Sequence, residues 1–155
     1  MTTDGSSDPT QPTILGWRER VALPEWGIKR IRAKADTGAR TCAIDVTDIE
    51  ELDEGRRVRF SVMLNRRNQR RRSVTVETDV VRRSRVRASL GHAHDRLFVS
   101  TTLRIGDRDI ETELGLVCRQ RMLCRMLLGR SFLREGFLVD SATRYQVGLP
   151  RTPGD

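Results

Sequence analysis

Apolar and polar residues alternate in several short segments of this chain, and this alternation restricts the fold more than any other sequence feature. Successive side chains of a β-strand point to opposite faces, so a period of two predicts a strand with one buried face. The clearest case lies within 28–35, where basic and apolar residues take turns: Arg30, Ile31, Arg32, Ala33, Lys34 and Ala35.

Two longer segments have the form of hairpins, in which alternating stretches are joined by turn residues. The first spans 57–79, with turn residues at 65–69 in a strongly basic tip. The second runs from Leu97 to Ile105, turns at Gly106-Asp107 and returns from Asp109 to Val117. We also expect strands at 14–23, ending before Pro24, at 137–139 and at 144–147.

The only clear helical segment is short. It covers Ser131 to Glu135 and ends at Gly136, a residue suited to a helix C-cap. Because strands and turns dominate, the sequence predicts an all-β barrel or sandwich.

The length of 155 residues suits one domain with its own core. Residues 1–13 are rich in Ser, Thr, Asp and Pro, so we expect a disordered leader there. A single domain is expected over 14–149, followed by a disordered tail at 150–155.

Compartment and partners follow from simple features of the sequence. No apolar run approaches the ~20 residues that span a bilayer, so no membrane partner is expected. The leader has acidic residues and no apolar core, unlike a secretory signal. Three cysteines do not make a disulfide framework, and we therefore expect a reducing, cytoplasmic location.

The chain is strongly basic, with a net charge of +8. Such a charge attracts polyanions. Nucleic acid, an anionic membrane and an acidic peptide all remain open as partners on this ground alone.

The motif Asp36-Thr37-Gly38-Ala39 directly follows the predicted strand 28–35 and is the first candidate for chemistry. A strand that delivers an Asp into a Gly-containing turn exposes the carboxylate at its end. The Thr37 hydroxyl can fix the turn, and Gly38 lets another backbone or a substrate approach closely. The same tetrapeptide also serves as an ordinary turn in β-proteins, so alone it does not define a site.

A second motif, Met126-Leu127-Leu128-Gly129-Arg130, lies near the C-terminal end. Alone, it predicts a buried strand, a bend and a short helix. In this order, the two motifs resemble the retropepsin pattern, in which the aliphatic-Gly strand packs beside the Asp-bearing loop. The sequence from about 15 to 148 is also similar to one bacterial family, labelled ATP-dependent zinc proteases. Its further matching motifs are Gly16-Trp17-Arg18-Glu19, Leu23-Pro24-Glu25 and Phe137-Leu138-Val139-Asp140.

The resemblance implies an all-β fold, a closed acid-protease (retropepsin-like) barrel with one short C-terminal helix. It implies an aspartic peptidase with Asp36 as the catalytic residue. The active-site loop would contain Thr37, Gly38 and Ala39, supported by Leu128, Gly129 and Arg130. The family often accompanies ATP-grasp ligases that add glutamates to a ribosomal protein, which implies a link to such a ligase and a peptide or protein substrate that is acidic or glutamylated.

One copy of Asp-Thr-Gly cannot supply the two carboxylates that aspartic peptidase chemistry needs. We therefore expect a C2 homodimer that brings Asp36 of each chain together. The role of Arg130 stays open between anchoring the helix, bridging subunits and contacting substrate.

The family label also implies ATP and zinc, which the sequence does not favour. There is no G-x-x-x-x-G-K-[ST], G-x-G-x-x-G or H-E-x-x-H motif. His92 and His94 are interpreted as polar loop residues, although Asp95 could join them in a ligand set. The three cysteines are expected in the core or in strands, with Cys42 a small buried residue where the family favours one such as Ser. We expect no cofactor and no metal.

A cluster of arginines lies in the tip of the 57–79 hairpin, the best candidate by position for the hairpin that retropepsins close over a substrate. The cluster is either a solvated, self-repelling group or a binding surface for an acidic chain. Its members are Arg66, Arg67, Arg70, Arg71 and Arg72.

Two other functions remain open. A pseudo-peptidase would bind acidic peptides without cutting them. A basic nucleic-acid-binding β-barrel is the third candidate, against which stands the low aromatic content of 5%.

Overall fold

The computed structural model describes residues 11–64, 72–87, 93–118 and 124–150. Strands and turns account for most of this part of the chain, together with one short α-helix and two 3-10 turns at Pro24–Trp26 and Asp53–Gly55. The strands and the helix are β1 Thr13–Gly16, β2 Arg18–Leu23, β3 Ile28–Ala35, β4 Cys42–Asp45, β5 Thr47–Leu52, β6 Arg57–Met63, β7 Ser73–Asp79, β8 Arg82–Arg87, β9 Ala93–Ile105, β10 Arg108–Val117, β11 Met126–Leu128, α1 Arg130–Leu133 and β12 Phe137–Asp140.

Six of these strands close into a barrel. Their hydrogen-bonded order is β10-β4-β11-β3-β2-β9, and the antiparallel pairing of β9 with β10 completes the ring. The prediction of a closed all-β barrel with one short helix is confirmed. No helix in the described ranges is long and apolar enough to cross a bilayer.

Three further groups of strands attach to the barrel. β8 pairs with the first half of β9, β1 and β12 form a parallel two-stranded sheet, and β5, β6 and β7 form an antiparallel sheet. Buried side chains of β6, including Phe60, belong to the same apolar cluster as the barrel residues Ile44 and Leu103 and the helix residue Phe132. The three-stranded sheet therefore packs on the barrel and shares its core.

Most predicted strands are confirmed. β3 coincides with 28–35, β6 and β7 form the hairpin over 57–79, and β9 and β10 form the second hairpin. The short helix and the strand at 137–139 are also present, each within one residue of its predicted start.

One predicted strand is divided in two, and another is wrong. The stretch 14–23 breaks at Trp17, because residues 13–16 pair with β12 whereas residues 18–23 pair with β3. Segment 144–147 forms no strand; instead it supplies backbone groups to β2, beginning with the Tyr145 N–H, which donates to the Arg18 carbonyl at 2.7 Å.

The buried carboxylate of Glu19 explains the path of that segment. One of its oxygens accepts the N–H of Gly16 at 2.6 Å and the N–H of Gln146 at 2.8 Å. Its other oxygen lies 3.4 Å from the N–H of Val147. Glu19 is only 1% exposed, so these backbone groups replace the water that a carboxylate otherwise requires. We call this arrangement the Glu19 clasp.

Replacing Glu19 with Ala should remove the acceptor for buried backbone donors and destabilise the fold by about 2–4 kcal/mol. Urea unfolding followed by circular dichroism measures this loss. Glu135→Ala, at an exposed glutamate, is the matched control and should change the free energy of unfolding by less than about 0.5 kcal/mol. Equal effects of the two substitutions would contradict a structural role for the clasp.

Candidate active site

Asp36 follows the last residue of β3 and opens a tight turn. Its carbonyl accepts the N–H of Ala39 at 3.2 Å, and its carboxylate Oδ1 accepts the N–H of Gly38 at 3.0 Å. The side chain is half-buried, whereas Thr37 and Gly38 are exposed. The turn thus holds one carboxylate in a fixed position at the surface.

The strands on the two sides of this turn, β3 and β4, are not neighbours in the barrel. β11 lies between them, parallel to β3 and antiparallel to β4. Its last residue, Leu128, accepts the N–H of Asp36 with its carbonyl at 2.9 Å. The aliphatic motif therefore supports the Asp36 turn directly, although the two are far apart in the sequence.

Gly129 is required by close packing against the segment after the turn. A Cβ atom at this position would lie 2.4 Å from the carbonyl oxygen of Thr41, which backbone atoms cannot accommodate. Its N–H points to the Cys42 sulfur at 3.3 Å. A glycine here allows β11 and α1 to approach the Asp36 turn.

Arg130 ties the turn to the helix in two ways. Its N–H donates to the Ala39 carbonyl at 2.9 Å, and its guanidinium donates to the Thr37 carbonyl at 3.0 Å. The next residue, Ser131, donates its N–H to the Arg40 carbonyl at 3.0 Å. Within one chain, these contacts fit an anchoring role for Arg130, which is one of the three roles that the sequence left open.

The structure brings together the seven residues of the two motifs that were predicted to form the site. They form one continuous unit at the end of the barrel strands β3 and β11, joined by these hydrogen bonds. The residues are Asp36, Thr37, Gly38, Ala39, Leu128, Gly129 and Arg130.

Cys42 lies directly behind this unit. It is fully buried, and burial raises the pKa of its thiol above the ordinary value. Its sulfur is 3.9 Å from the Ser131 hydroxyl. Cys124 is also buried, but Cys118 follows β10 and is exposed, so the expectation of a core or strand position is wrong for Cys118.

Most of the predicted arginine cluster lies outside the described residues: Arg66, Arg67, Arg70 and Arg71. Arg72 is exposed, and its carbonyl accepts the N–H of Leu64 at 2.8 Å where the hairpin β6–β7 begins to close. His92 is likewise outside the described part. His94 lies in β9 opposite Val86, so its interpretation as a loop residue is wrong. Among the described residues, no three His, Cys, Asp or Glu side chains are grouped to hold a metal ion.

Sequence reasoning missed a buried ion pair at the opposite end of β11. Asp45 is 2% exposed, and its carboxylate accepts a hydrogen bond from the Arg125 guanidinium at 2.8 Å. The Asp45 N–H also donates to the Arg125 carbonyl at 2.7 Å. The pair fixes β11 to β4 at the end away from Asp36. An Asp at the end of the apolar strand Cys42–Asp45 and an Arg directly before the aliphatic motif were the only signals for it.

A closed barrel with one Asp-Thr-Gly-Ala turn, braced by an aliphatic-Gly-Arg strand, defines a retropepsin-like domain. Residues 14–148 match the family model described as retropepsin-like aspartic endopeptidase RimB, and the chain belongs to this RimB-like family.

Similar proteins include a curated one from Shewanella pealeana named "Probable alpha-L-glutamate ligase", 32% identical over 136 residues. A protein of the same name from Parasynechococcus marenigrum is 33% identical over 143 residues. These matches cover 87% and 90% of this chain but only 30% of each relative. The chain thus spans less than a third of the length of these relatives.

A solved structure from Legionella pneumophila, titled as a protein of unknown function, resembles the whole barrel. It has a TM-score of 0.71 and 25% identity, and the match covers 87% of this chain and 98% of that one. The same architecture therefore recurs in an experimentally determined structure.

The Cys42 thiol should resist alkylation in the folded protein. Its raised pKa keeps it protonated at neutral and mildly alkaline pH, and burial keeps reagent away. Iodoacetamide followed by peptide mass spectrometry should modify the exposed Cys118 and leave Cys42 unmodified until urea is added. Since the unfolded thiol titrates at its ordinary, lower pKa, stability should fall as the pH rises above that value. Labelling of Cys42 as fast as Cys118 in native buffer would contradict this account.

Proposed function

We propose that this chain is one subunit of an aspartic endopeptidase, in which a C2 homodimer pairs Asp36 of one protomer with Asp36 of its partner. The observation that carries this proposal is the position of the Asp36 carboxylate, held at the surface by its own turn and by Leu128 of β11. The description of the family points to the same chemistry.

The chemistry requires two carboxyl groups about 3 Å apart that share one proton. The protonated group polarises the scissile carbonyl, while the ionised group takes a proton from the attacking water. Since this sequence has one Asp-Thr-Gly, the proposal takes the second group from a second copy of the chain. A two-fold axis beside Asp36 would provide it.

Exposed groups around the turn fit such a partner. Thr37 and Gly38 are exposed next to Asp36, where Thr37 would brace the two loops and Gly38 would shape the substrate groove. The sheet of β1 and β12 lies close by, because the Trp17 carbonyl at its end accepts the N–H of Ala35 at 2.9 Å. Ile14 and Leu138 are opposite each other in this sheet, exposed by 41% and 55%. A second copy would cover these apolar side chains.

For the substrate, we favour an acidic or glutamylated peptide. The net charge of +8 raises the local concentration of acidic chains. The similar proteins named as glutamate ligases support a link between this domain and glutamate addition. A peptidase acting on the product of such a ligase would reverse or trim that addition.

A second candidate is a module that binds acidic peptides without cutting them. It is favoured by the length of the ligase-named relatives, of which this chain spans 30%. Within such a protein, the domain could present a peptide to a ligase instead of hydrolysing it.

Asp36→Asn distinguishes the two candidates. The wild-type protein should cleave peptides that carry glutamate tails, whereas the variant should lose at least about a hundredfold in rate, because the amide cannot accept the proton of the attacking water. Products are read by mass spectrometry, with neutral peptides of equal length as substrate controls. Asp107→Asn, in the turn between β9 and β10, is the matched control and should keep full activity.

Cleavage that persists in Asp36→Asn would contradict the aspartic mechanism, and inhibition of that cleavage by EDTA would indicate a metal-dependent one. Binding of the glutamate-tailed peptides without cleavage by the wild-type dimer would support the binding module.

A further inference from the structure

The outer face of β2 and β3 carries a continuous group of cations. Cross-strand partners project to the same face of a sheet, and Arg18 lies opposite Lys34 while Arg20 lies opposite Arg32. Arg30 continues the same face of β3, two residues before Arg32. We call this group the β2–β3 basic face; it consists of Arg18, Arg20, Arg30, Arg32 and Lys34.

These cations differ from many arginines on the surface in having no acidic partner among the described residues. Elsewhere in the described part of the chain, several exposed or half-exposed arginines pair with carboxylates: Arg57, Arg59, Arg82, Arg83 and Arg104. By contrast, no described acidic side chain forms an ion pair with a member of the basic face. Like charges directly opposite each other destabilise a sheet. The face therefore holds charge that no ion pair with a described carboxylate neutralises.

Two aromatic rings border the basic face. The Arg18 guanidinium lies 4.7 Å from the centre of the Trp17 ring, and the Arg20 guanidinium lies 3.9 Å from the centre of the Tyr145 ring. Both rings are half-buried, so part of each remains available. Proteins that bind single-stranded nucleic acid combine cations, which contact the phosphates, with partly exposed aromatic rings, on which the bases stack.

The position of the strands favours phosphates over an extended peptide. β2 and β3 both lie inside the sheet, with β9 and β11 as their outer neighbours. β11 pairs with β3 over residues 33–35, which limits the sheet edge at which an extended peptide would add a strand. Recognition on this face therefore falls mainly to side chains. Alternate residues of a strand repeat about every 6.6 Å, and four of the five are arginines, whose planar forks suit phosphate oxygens.

We infer that the β2–β3 basic face binds the sugar–phosphate backbone of single-stranded nucleic acid. The binding is without sequence preference, because no element of the face is placed to read base edges in a groove. It is separate from the peptidase proposal, since the five side chains lie on the outer surface of the barrel and Asp36 is not among them.

The test is fluorescence anisotropy of a labelled oligouridylate of about 15 nucleotides, titrated with the full chain at several salt concentrations. Five phosphate contacts predict a slope of log K against log [salt] of about −3.5. The variant Arg30→Gln, Arg32→Gln, Lys34→Gln should reduce that slope to about −1.4 and weaken binding at least about tenfold at low salt.

A matched variant controls for the loss of three charges. Arg56, Arg85 and Arg134 are exposed arginines away from the basic face, and changing all three to Gln removes the same net charge. This control should keep the steep slope and most of the affinity. Asp36→Asn should bind the oligonucleotide as wild type does, whether or not the peptidase proposal holds.

Three results would overturn the inference. The first is absence of oligonucleotide binding by the folded wild-type chain at low salt. The second is equal weakening by the two triple variants, which would show that net charge alone decides binding. The third is a triple variant of the basic face that loses binding of polyglutamate but keeps binding of the oligonucleotide. This result would make the face a peptide-binding surface. Circular dichroism and thermal melting confirm that each variant is folded.

Discussion

The insertion of β11 between β3 and β4 is the contact on which the site depends. The Asp36 turn joins β3 and β4, which are not neighbours in the barrel. The three-residue strand β11 fills the gap between them and closes the barrel there. Its carbonyl at Leu128 fixes the N–H of Asp36, and the residues after it bind the Ala39 and Arg40 carbonyls. Without this strand, the ring of six would be open at the Asp36 turn.

Buried polar groups secure the strands on both sides of that insertion. The Asp45–Arg125 pair holds one end of β11, and the Cys42 sulfur receives the Gly129 N–H at the other. On the far side of β3, the Glu19 clasp fixes Gly16 and the C-terminal segment, and the Trp17 carbonyl next to it binds the Ala35 N–H. Asp36 therefore extends from a strand that is held along both edges, which suits a group that must meet a partner precisely.

Local patterns predicted β3 and the two hairpins, but not β5 or β8, which also pair within one sheet. β3 and the two hairpins have the period of two because one face of each is buried. β4 was not predicted, because all four of its residues are buried and show no alternation. The stretch 14–23 looked continuous because its apolar pattern continues through Trp17, although its partners change there. Segment 144–147 has alternating apolar residues, but its N–H groups meet a carboxylate that the local sequence does not reveal.

The candidate site was also predictable only in part, because local sequence does not reveal contacts between distant segments. Asp36 could be placed at the end of a strand from local pattern, and its pairing with Leu128 and Gly129 came from a family resemblance. Glu19 and Arg125 were not predicted as partners, since their contacts depend on packing between distant segments.

The central claim is that each chain supplies one half of a catalytic pair, and subunit mixing tests it most directly. Wild-type and Asp36→Asn chains are unfolded together, refolded at equal amounts and assayed on a glutamate-tailed peptide at fixed total protein. If the site needs Asp36 from both chains, random pairing leaves about a quarter of the wild-type activity, because only about one dimer in four is fully wild type. Retention of about half of the activity would mean that each chain acts alone and would contradict the shared site.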